Sequence, residues 1–249
     1  MAALDASDTM EPCEAMTGVL YGVGLGPGDP ELMTLKAHRL IAGARVVAYP
    51  APTGGDSFAR SIAEDVVSPN AREIRIDIPM DVSRYPAQEA YDEAAAQISI
   101  ILHSGDDVVV LCEGDPLFYG SFMYLFARLT DQFAVEIVPG VTSVTACAAA
   151  LQRPLSARNE VLTIIPGTLE EAELSAKIEA ADALAIMKVG RHLPKIKRVL
   201  KAQGLSESSG YVERATLPTQ KVLPLSDAPE TAPYFSMILV TKGGDPWLN

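Results

Sequence analysis

Leu20-Tyr21-Gly22-Val23-Gly24-Leu25-Gly26-Pro27-Gly28-Asp29-Pro30 is the stretch on which the reading of this chain turns. A short apolar run over residues 19–23 predicts a buried first strand. It ends in alternating glycines, two prolines and an acid. A helical pattern follows at once in Leu32, Leu35, Leu40 and Ile41, with Lys36 and Arg39 among them. Strand, glycine loop, helix is where an open α/β sheet places a ligand. Glycine permits positive φ and close backbone approach. The spacing nevertheless argues against a nucleotide phosphate loop. G-x-G-x-x-G counted from Gly22, Gly24 or Gly26 needs glycine where Pro27, Asp29 and Glu31 stand, and no Gly-Lys-Ser/Thr follows. Asp29 and Glu31 at the helix start would also repel phosphate and occupy the amides it uses. Two readings stay open: a tight turn in which one of these acids caps the helix, or a loop that approaches an uncharged or cationic ligand.

The 249 residues are 48% hydrophobic, enough core for one large domain or two small ones. The formal net charge of −12 argues against nucleic-acid binding through a general basic field. Cys13, Cys112 and Cys147 form no C-x-x-C, and an odd number fits no closed disulfide framework. Their apolar or small neighbours read as those of buried thiols. His38, His103 and His192 have no metal-ligand spacing, so no metal is expected. No apolar run approaches a membrane span. Residues 1–16 carry four acids and no base, unlike a secretory or mitochondrial signal, and read as a disordered tail of a cytoplasmic protein.

Beyond the first helix, strands are expected at 44–49, 72–78, 107–112 and 135–138, the second of them alternating as at a sheet edge. Helices are expected between them, one opened by Asp56 or Ser57 and running to Val66, another over 87–102, with a polar loop at 79–86. Val108-Val109-Val110-Leu111 has the continuous apolar character of a central parallel strand. It ends in a second glycine–acid–proline loop, Glu113-Gly114-Asp115-Pro116, and the 135–138 strand ends in Pro139-Gly140 before a small-residue helix over 142–151. Strand ends converging with such loops define a crevice. Past Pro154 the strand–helix alternation holds to about residue 203, then gives way to strands at 210–214, 219–222 and 234–241. The expectation is therefore two α/β domains: residues 17–153, mainly a parallel sheet with helices on both faces, and 154–249, a mixed sheet, with an active-site cleft between them.

Familiar catalytic machinery is absent. There is no G-x-S-x-G elbow, no cysteine in a nucleophile's setting and no H-E-x-x-H. An enzyme built this way relies on positioning two reactants. One segment is basic against the acidic total: Lys188, Arg191, Lys195, Lys197, Arg198 and Lys201, with His192 inside it. It reads either as a solvated helix face or, in Lys188, Arg191 and His192 at a strand end, as a surface for a polyanionic substrate. Arg214, just past another strand, joins the second reading, since guanidinium pairs naturally with carboxylates.

Three ordered motifs together resemble the tetrapyrrole methylase family, whose members transfer methyl groups from S-adenosyl-L-methionine to corrin and sirohaem precursors. They are Val23-Gly24-Leu25-Gly26-Pro27-Gly28-Asp29-Pro30, Glu113-Gly114-Asp115-Pro116-Leu117-Phe118-Tyr119-Gly120 and Val138-Pro139-Gly140-Val141-Thr142-Ser143. The resemblance runs from about Thr17 to Thr241. Within the family, Tyr49-Pro50 followed by Gly54-Gly55-Asp56-Ser57, Met187-Lys188-Val189-Gly190-Arg191 and Tyr211-Val212-Glu213-Arg214-Ala215-Thr216 are similar to the branch that methylates C20 of precorrin-2.

What this resemblance implies is specific. The cofactor contacts fall on Pro27, Glu113, Gly114, Asp115, Phe118, Thr142, Ser143, Met187 and Ala215, although the family often has glycine where Glu113 and Ala215 stand. Gly26, Gly28, Lys188, Arg191, His192 and Arg214 are the candidates for the substrate. The implied reaction is in-line methyl transfer to the nucleophilic meso carbon C20 of precorrin-2, giving precorrin-3A in cobalamin biosynthesis, by a homodimer. Alternatives are the cobalt-containing substrate of the anaerobic pathway and a non-catalytic tetrapyrrole-binding module. A proton must leave C20, and Tyr49, Tyr119 or a substrate propionate are candidate acceptors. A sulfonium cofactor without phosphate suits a glycine loop that has acids and no phosphate motif.

Overall fold

Val108, Val110 and Cys112 face one way and Val109 and Leu111 the other, each packed into its own cluster of apolar side chains. That alternation makes β4 (Val108–Cys112) a strand buried on both faces, as the middle of a parallel sheet requires. The computed structural model describes residues 17–79 and 85–243. Four more strands complete this first sheet: β1 (Leu20–Gly24), β2 (Val46–Pro52), β3 (Arg72–Ile78) and β5 (Val135–Val138). Their order is β3-β2-β4-β1-β5 and every pairing is parallel. Helices α1 (Leu35–Gly43) and α2 (Phe58–Ile62) cover one face through Ile41 and Ile62. Helices α3 (Tyr85–His103) and α4 (Phe122–Leu129) cover the other through Ile98, Leu102 and Leu125. Gly22 leaves room on that second face for the Phe122 ring, which a Cβ would meet at 2.4 Å.

The second sheet is mixed. Its order is β6 (Leu162–Pro166), β7 (Ala183–Met187), β10 (Ser236–Thr241), β8 (Ser209–Glu213) and β9 (Lys221–Pro224). Only β6 and β7 run parallel. Helices α6 (Glu171–Ala180) and α7 (Leu193–Ala202) bury Leu174, Ile178, Ile196 and Leu200 against Leu184, Ile186, Tyr211 and Ile238. The opposite face carries Ala185, Met187, Val212, Met237 and Leu239. It is covered by α5 (Ser143–Leu151) through Val144, Cys147 and Ala148.

The expected α/β architecture, parallel sheet first and mixed sheet second, is what the chain forms. The 72–78 strand stands at the sheet edge as its alternation predicts. Three local expectations are corrected. Strand β2 starts at Val46 and runs on through Pro50 and Pro52. It pairs with β4 only at Val47 and Ala48, so beyond Ala48 that side needs no N–H donor and proline is tolerated. Helix α2, capped by Ser57 as expected, stops at Ile62 instead of Val66 and passes into turns at residues 63–66. Strand β10 begins at Ser236, because Tyr234 and Phe235 turn aside. The acidic tail at 1–16 with Cys13, most of the loop expected at 79–86 and the last six residues lie outside the described residues.

Candidate functional site

Strands β4, β1 and β5 are neighbours and parallel, so the three motif loops leave the sheet side by side. They are joined through their backbones. Gly26 N–H donates to Gly114 O at 3.2 Å and Gly114 N–H donates to Gly26 O at 2.8 Å. Gly140 lies so close behind Gly114 that a Cβ on it would stand 1.9 Å from the Gly114 carbonyl oxygen and 2.9 Å from Gly24 Cα. Asp115 binds the second loop to itself and to the third. Its Oδ1 accepts from the Leu117 and Phe118 amides at 3.0 and 3.1 Å, and its Oδ2 accepts from Gly140 N at 3.0 Å. The loop consumes residues 115–121, and α4 starts only at Phe122.

The first loop also crosses to the second sheet. Asp29 N–H donates to Thr216 Oγ1 at 3.0 Å. The Asp29 carboxylate accepts from Glu31 N at 2.9 Å and caps the short 3-10 turn Pro30–Leu32. Capping is therefore what this acid does. Thr34, a cap not singled out in the sequence, opens α1 by accepting from Ala37 N at 3.1 Å.

Between the loops and the open end of the second sheet lies a cleft with about 980 Å³ of empty space, continuous with solvent. Pro27, Glu113, Gly114, Asp115 and Phe118 line it from the first sheet. Thr142, at the N-cap of α5, and Ser143 line it from that helix, and Met187 and Ala215 from the ends of β7 and β8. These are the nine positions to which the family resemblance assigns the cofactor. Tyr119, Lys188 and Arg214 share the wall.

The remaining candidates fall elsewhere. Gly26 and Gly28 are buried behind Pro27 in the first loop. Arg191 and His192 sit in the turn Gly190–His192 that leads into α7, outside the residues lining the cleft. Desolvation, then Lys195 and Arg191, hold the His192 imidazole below its ordinary pKa. Tyr49 is also outside the lining; burial and the nearby Glu73 carboxylate raise its phenol above the ordinary pKa, and Glu73 takes two bonds from Arg60 at 2.9 and 3.0 Å.

Three wall residues adopt left-handed backbone without being glycine, Tyr119 (φ 55°), Lys188 (φ 53°) and Arg214 (φ 48°), as does Thr216 (φ 71°) beside the wall. Each such residue costs about 1–2 kcal/mol, and this kind of strain gathers at ligand sites. Lys188 and Arg214 directly follow β7 and β8. Lys188 Nζ stands 5.2 Å from the centre of the Tyr119 ring, whose edge meets Phe118. Arg214 lies 3.8 Å from Glu213, a buried carboxylate that also takes Lys221 at 3.2 Å and the Tyr211 hydroxyl at 2.8 Å.

Burial raises the Glu113 carboxyl above its ordinary pKa, partly offset by a bond from the Ala59 amide at the start of α2. Burial also pushes the Cys147 thiol up to about 12, so it stands at the cleft as a protonated, unreactive group. Cys112 is buried and raised likewise. Wall residues that the sequence reading missed are Phe58, Val212, Leu217 and the Tyr234-Phe235-Ser236-Met237 run. Val212 and Met237 meet there because β8 and β10 pair them directly, a register no local motif announces.

Comparison with known proteins bears on the family and the fold. Residues 19–229 match the family model of the tetrapyrrole (corrin/porphyrin) methylases. The cobalamin biosynthesis protein CobIJ of Mycobacterium tuberculosis is 44% identical over 91% of this chain; the chain spans about half of that relative's length, 46%. A precorrin-2 C(20)-methyltransferase of Sinorhizobium sp is 41% identical, covering 90% of this chain and 95% of its own. A cobalt-precorrin-2 C(20)-methyltransferase of Salmonella typhimurium is 33% identical over 91% of this chain and 98% of its own. Among solved structures, the cobalt precorrin-4 methyltransferase CbiF superposes with a TM-score of 0.73 at 26% identity, over 90% of this chain and 94% of that one. The uroporphyrin-III C-methyl transferase of Thermus thermophilus, complexed with S-adenyl homocysteine, superposes at 0.63 with 26% identity, over 90% and 97% of the two chains. The chain belongs to the tetrapyrrole (corrin/porphyrin) methylase family.

Proposed function

We propose that this protein is an S-adenosyl-L-methionine-dependent C-methyltransferase that methylates C20 of precorrin-2, giving precorrin-3A in cobalamin biosynthesis. The observation that carries the reading is the cleft itself, in which one wall of joined backbone loops faces a second wall with two strand-end cations. Two relatives whose names specify C20 of this macrocycle support the position methylated.

The residues present fit the cofactor. Phe118, Met187 and Met237 give an apolar lining, and the loop spacing offers no phosphate cradle. Pro27, the backbone of the Glu113-Gly114-Asp115 turn, Phe118, Thr142, Ser143, Met187 and Ala215 would hold it. S-adenosyl-L-methionine, when bound, supplies a methyl group on a sulfonium. Lys188 and Arg214 meet carboxylates of the macrocycle, and their left-handed backbone sets them on the cleft wall. The acceptor carbon is already nucleophilic, so the protein aligns it and excludes water. No side-chain nucleophile is needed, and Cys147, the thiol on the wall, is kept protonated. The same reading makes the protein a cytoplasmic homodimer, and sedimentation velocity tests its assembly.

The decisive experiment incubates the protein with precorrin-2, with and without cobalt, and locates any new methyl group by mass spectrometry and NMR. A single methyl at C20 is expected, and the better of the two substrates assigns the metal-free or cobalt branch. Absence of product from both would sink the reading. Tetrapyrrole that copurifies without methyl transfer would favour a binding module.

A further inference from the structure

We propose that Glu113 is the base that takes the proton from C20 after methylation, an assignment that rests on the reaction proposed above. Once C20 has gained its methyl group it still carries hydrogen, and the macrocycle carries a positive charge. Neutrality returns when the C20–H electron pair enters the conjugated system and the proton bonds to an acceptor. That acceptor has to stand on the cleft wall, unprotonated and free to accept.

The groups on this wall sort themselves. Asp115 spends both oxygens on three amides that hold the loops together. Cys147 keeps its proton. Lys188 and Arg214 are cations, and Tyr119 offers a phenol, a donor rather than a base. Glu113 differs from all of them. It lines the cleft and has no ion pair among the described residues. The titratable groups whose charge it meets are Tyr91 from α3, Cys112 at the end of β4 and Tyr234 from the segment before β10, with Asp115 two residues on. None is a cation that would quench its basicity. Burial raises its proton affinity further, which suits a general base working near neutral pH.

The test compares wild type with E113Q, which keeps the shape and removes the basicity, and with E113D. For E113Q, kcat should fall about 100-fold or more, the usual range for a lost general base. Calorimetric affinity for S-adenosyl-L-homocysteine should stay within about threefold, a split that separates chemistry from binding. With C20-deuterated substrate, E113Q should show a larger isotope effect than wild type, because proton loss has become slow. E113D should recover part of the rate.

Stability gives a readout that needs no turnover. A carboxyl whose pKa is raised by folding contributes stability that is complete below its unfolded pKa and lost as pH rises through its folded pKa. The melting temperatures of wild type and E113Q should therefore coincide in acid and diverge above the ordinary glutamate range, E113Q being the more stable. Coincident curves at every pH would overturn the burial on which the assignment rests. Unimpaired turnover of E113Q beside an active wild type would overturn the assignment alone and leave a substrate carboxylate as acceptor. Equal losses in kcat and cofactor affinity would also overturn it, making Glu113 a cofactor anchor. Wild type that binds S-adenosyl-L-homocysteine but methylates neither form of precorrin-2 would overturn the reaction and this base together.

Discussion

At the scale of single residues, Asp115 is the clearest case of a motif residue whose work is structural. Its three amide bonds tie the second loop to the third. In Asp115→Asn one of the two acceptor positions becomes a donor, and the Gly140 amide loses its partner. Hydrogen bonds to charged groups are worth about 1.5–3 kcal/mol. At about 2–4 °C per kcal/mol for a chain of this size, the melting temperature should fall by at least about 3 °C. An unchanged melting curve would show that the bond to Gly140 holds nothing. Lys188→Ala should raise KM for the tetrapyrrole about tenfold, the equivalent of one charge-assisted bond of about 1.4 kcal/mol, and leave cofactor affinity alone. Arg191→Ala, outside the lining, should leave both alone, and parallel KM losses in the two variants would put Arg191 back among the substrate residues. The sequence made the three motif loops legible because each follows a strand end with a recognisable glycine pattern, whereas Met187 and Ala215 came only with the family resemblance. It did not separate Lys188 from Arg191, because the left-handed turns at Lys188 and Gly190 decide which side chain faces the cleft, and φ is not written in residue spacing.

At the scale of elements, what was legible is what a period reveals. The alternation of Arg72–Ile78 and the apolar run of β4 gave strand positions and even the edge or centre of the sheet. Strand order was not legible, because β3-β2-β4-β1-β5 depends on which crossovers the helices permit. The passage of β2 through two prolines was hidden for the same reason: it depends on how far β4 extends beside it. Gly22 shows how closely β1 is matched to α4. Its substitution by alanine would push a Cβ to 2.4 Å from the ring of Phe122, which is 1% exposed and cannot turn aside. Overpacking of this kind costs about 1–3 kcal/mol. Chemical denaturation of Gly22→Ala should show that loss with an unchanged m-value. A neutral substitution would mean that the ring moves freely and that α4 is not fixed on β1.

At the scale of the molecule, the cleft belongs to neither sheet alone. Its walls join loops of the first sheet, the start of α5 and the ends of β7, β8 and β10. Asp29 N–H to Thr216 Oγ1 ties the two sides at one edge, and α5, which continues from the third loop, packs across the second sheet. A ligand seated there contacts both halves of the chain and stabilises whatever unfolding unit contains each of them. Binding to the native state alone contributes RT ln(1 + [L]/Kd), about 2.7 kcal/mol at a hundredfold excess over Kd. For a chain of this length that corresponds to a rise in melting temperature of roughly 5–11 °C. With S-adenosyl-L-homocysteine at that excess, calorimetry should show the rise across the whole unfolding endotherm. If the endotherm resolves into two transitions, both should move upward. Should only one of them move, the cofactor would be held by a single sheet, and the second wall, with Met187 and Ala215, would be left to the macrocycle.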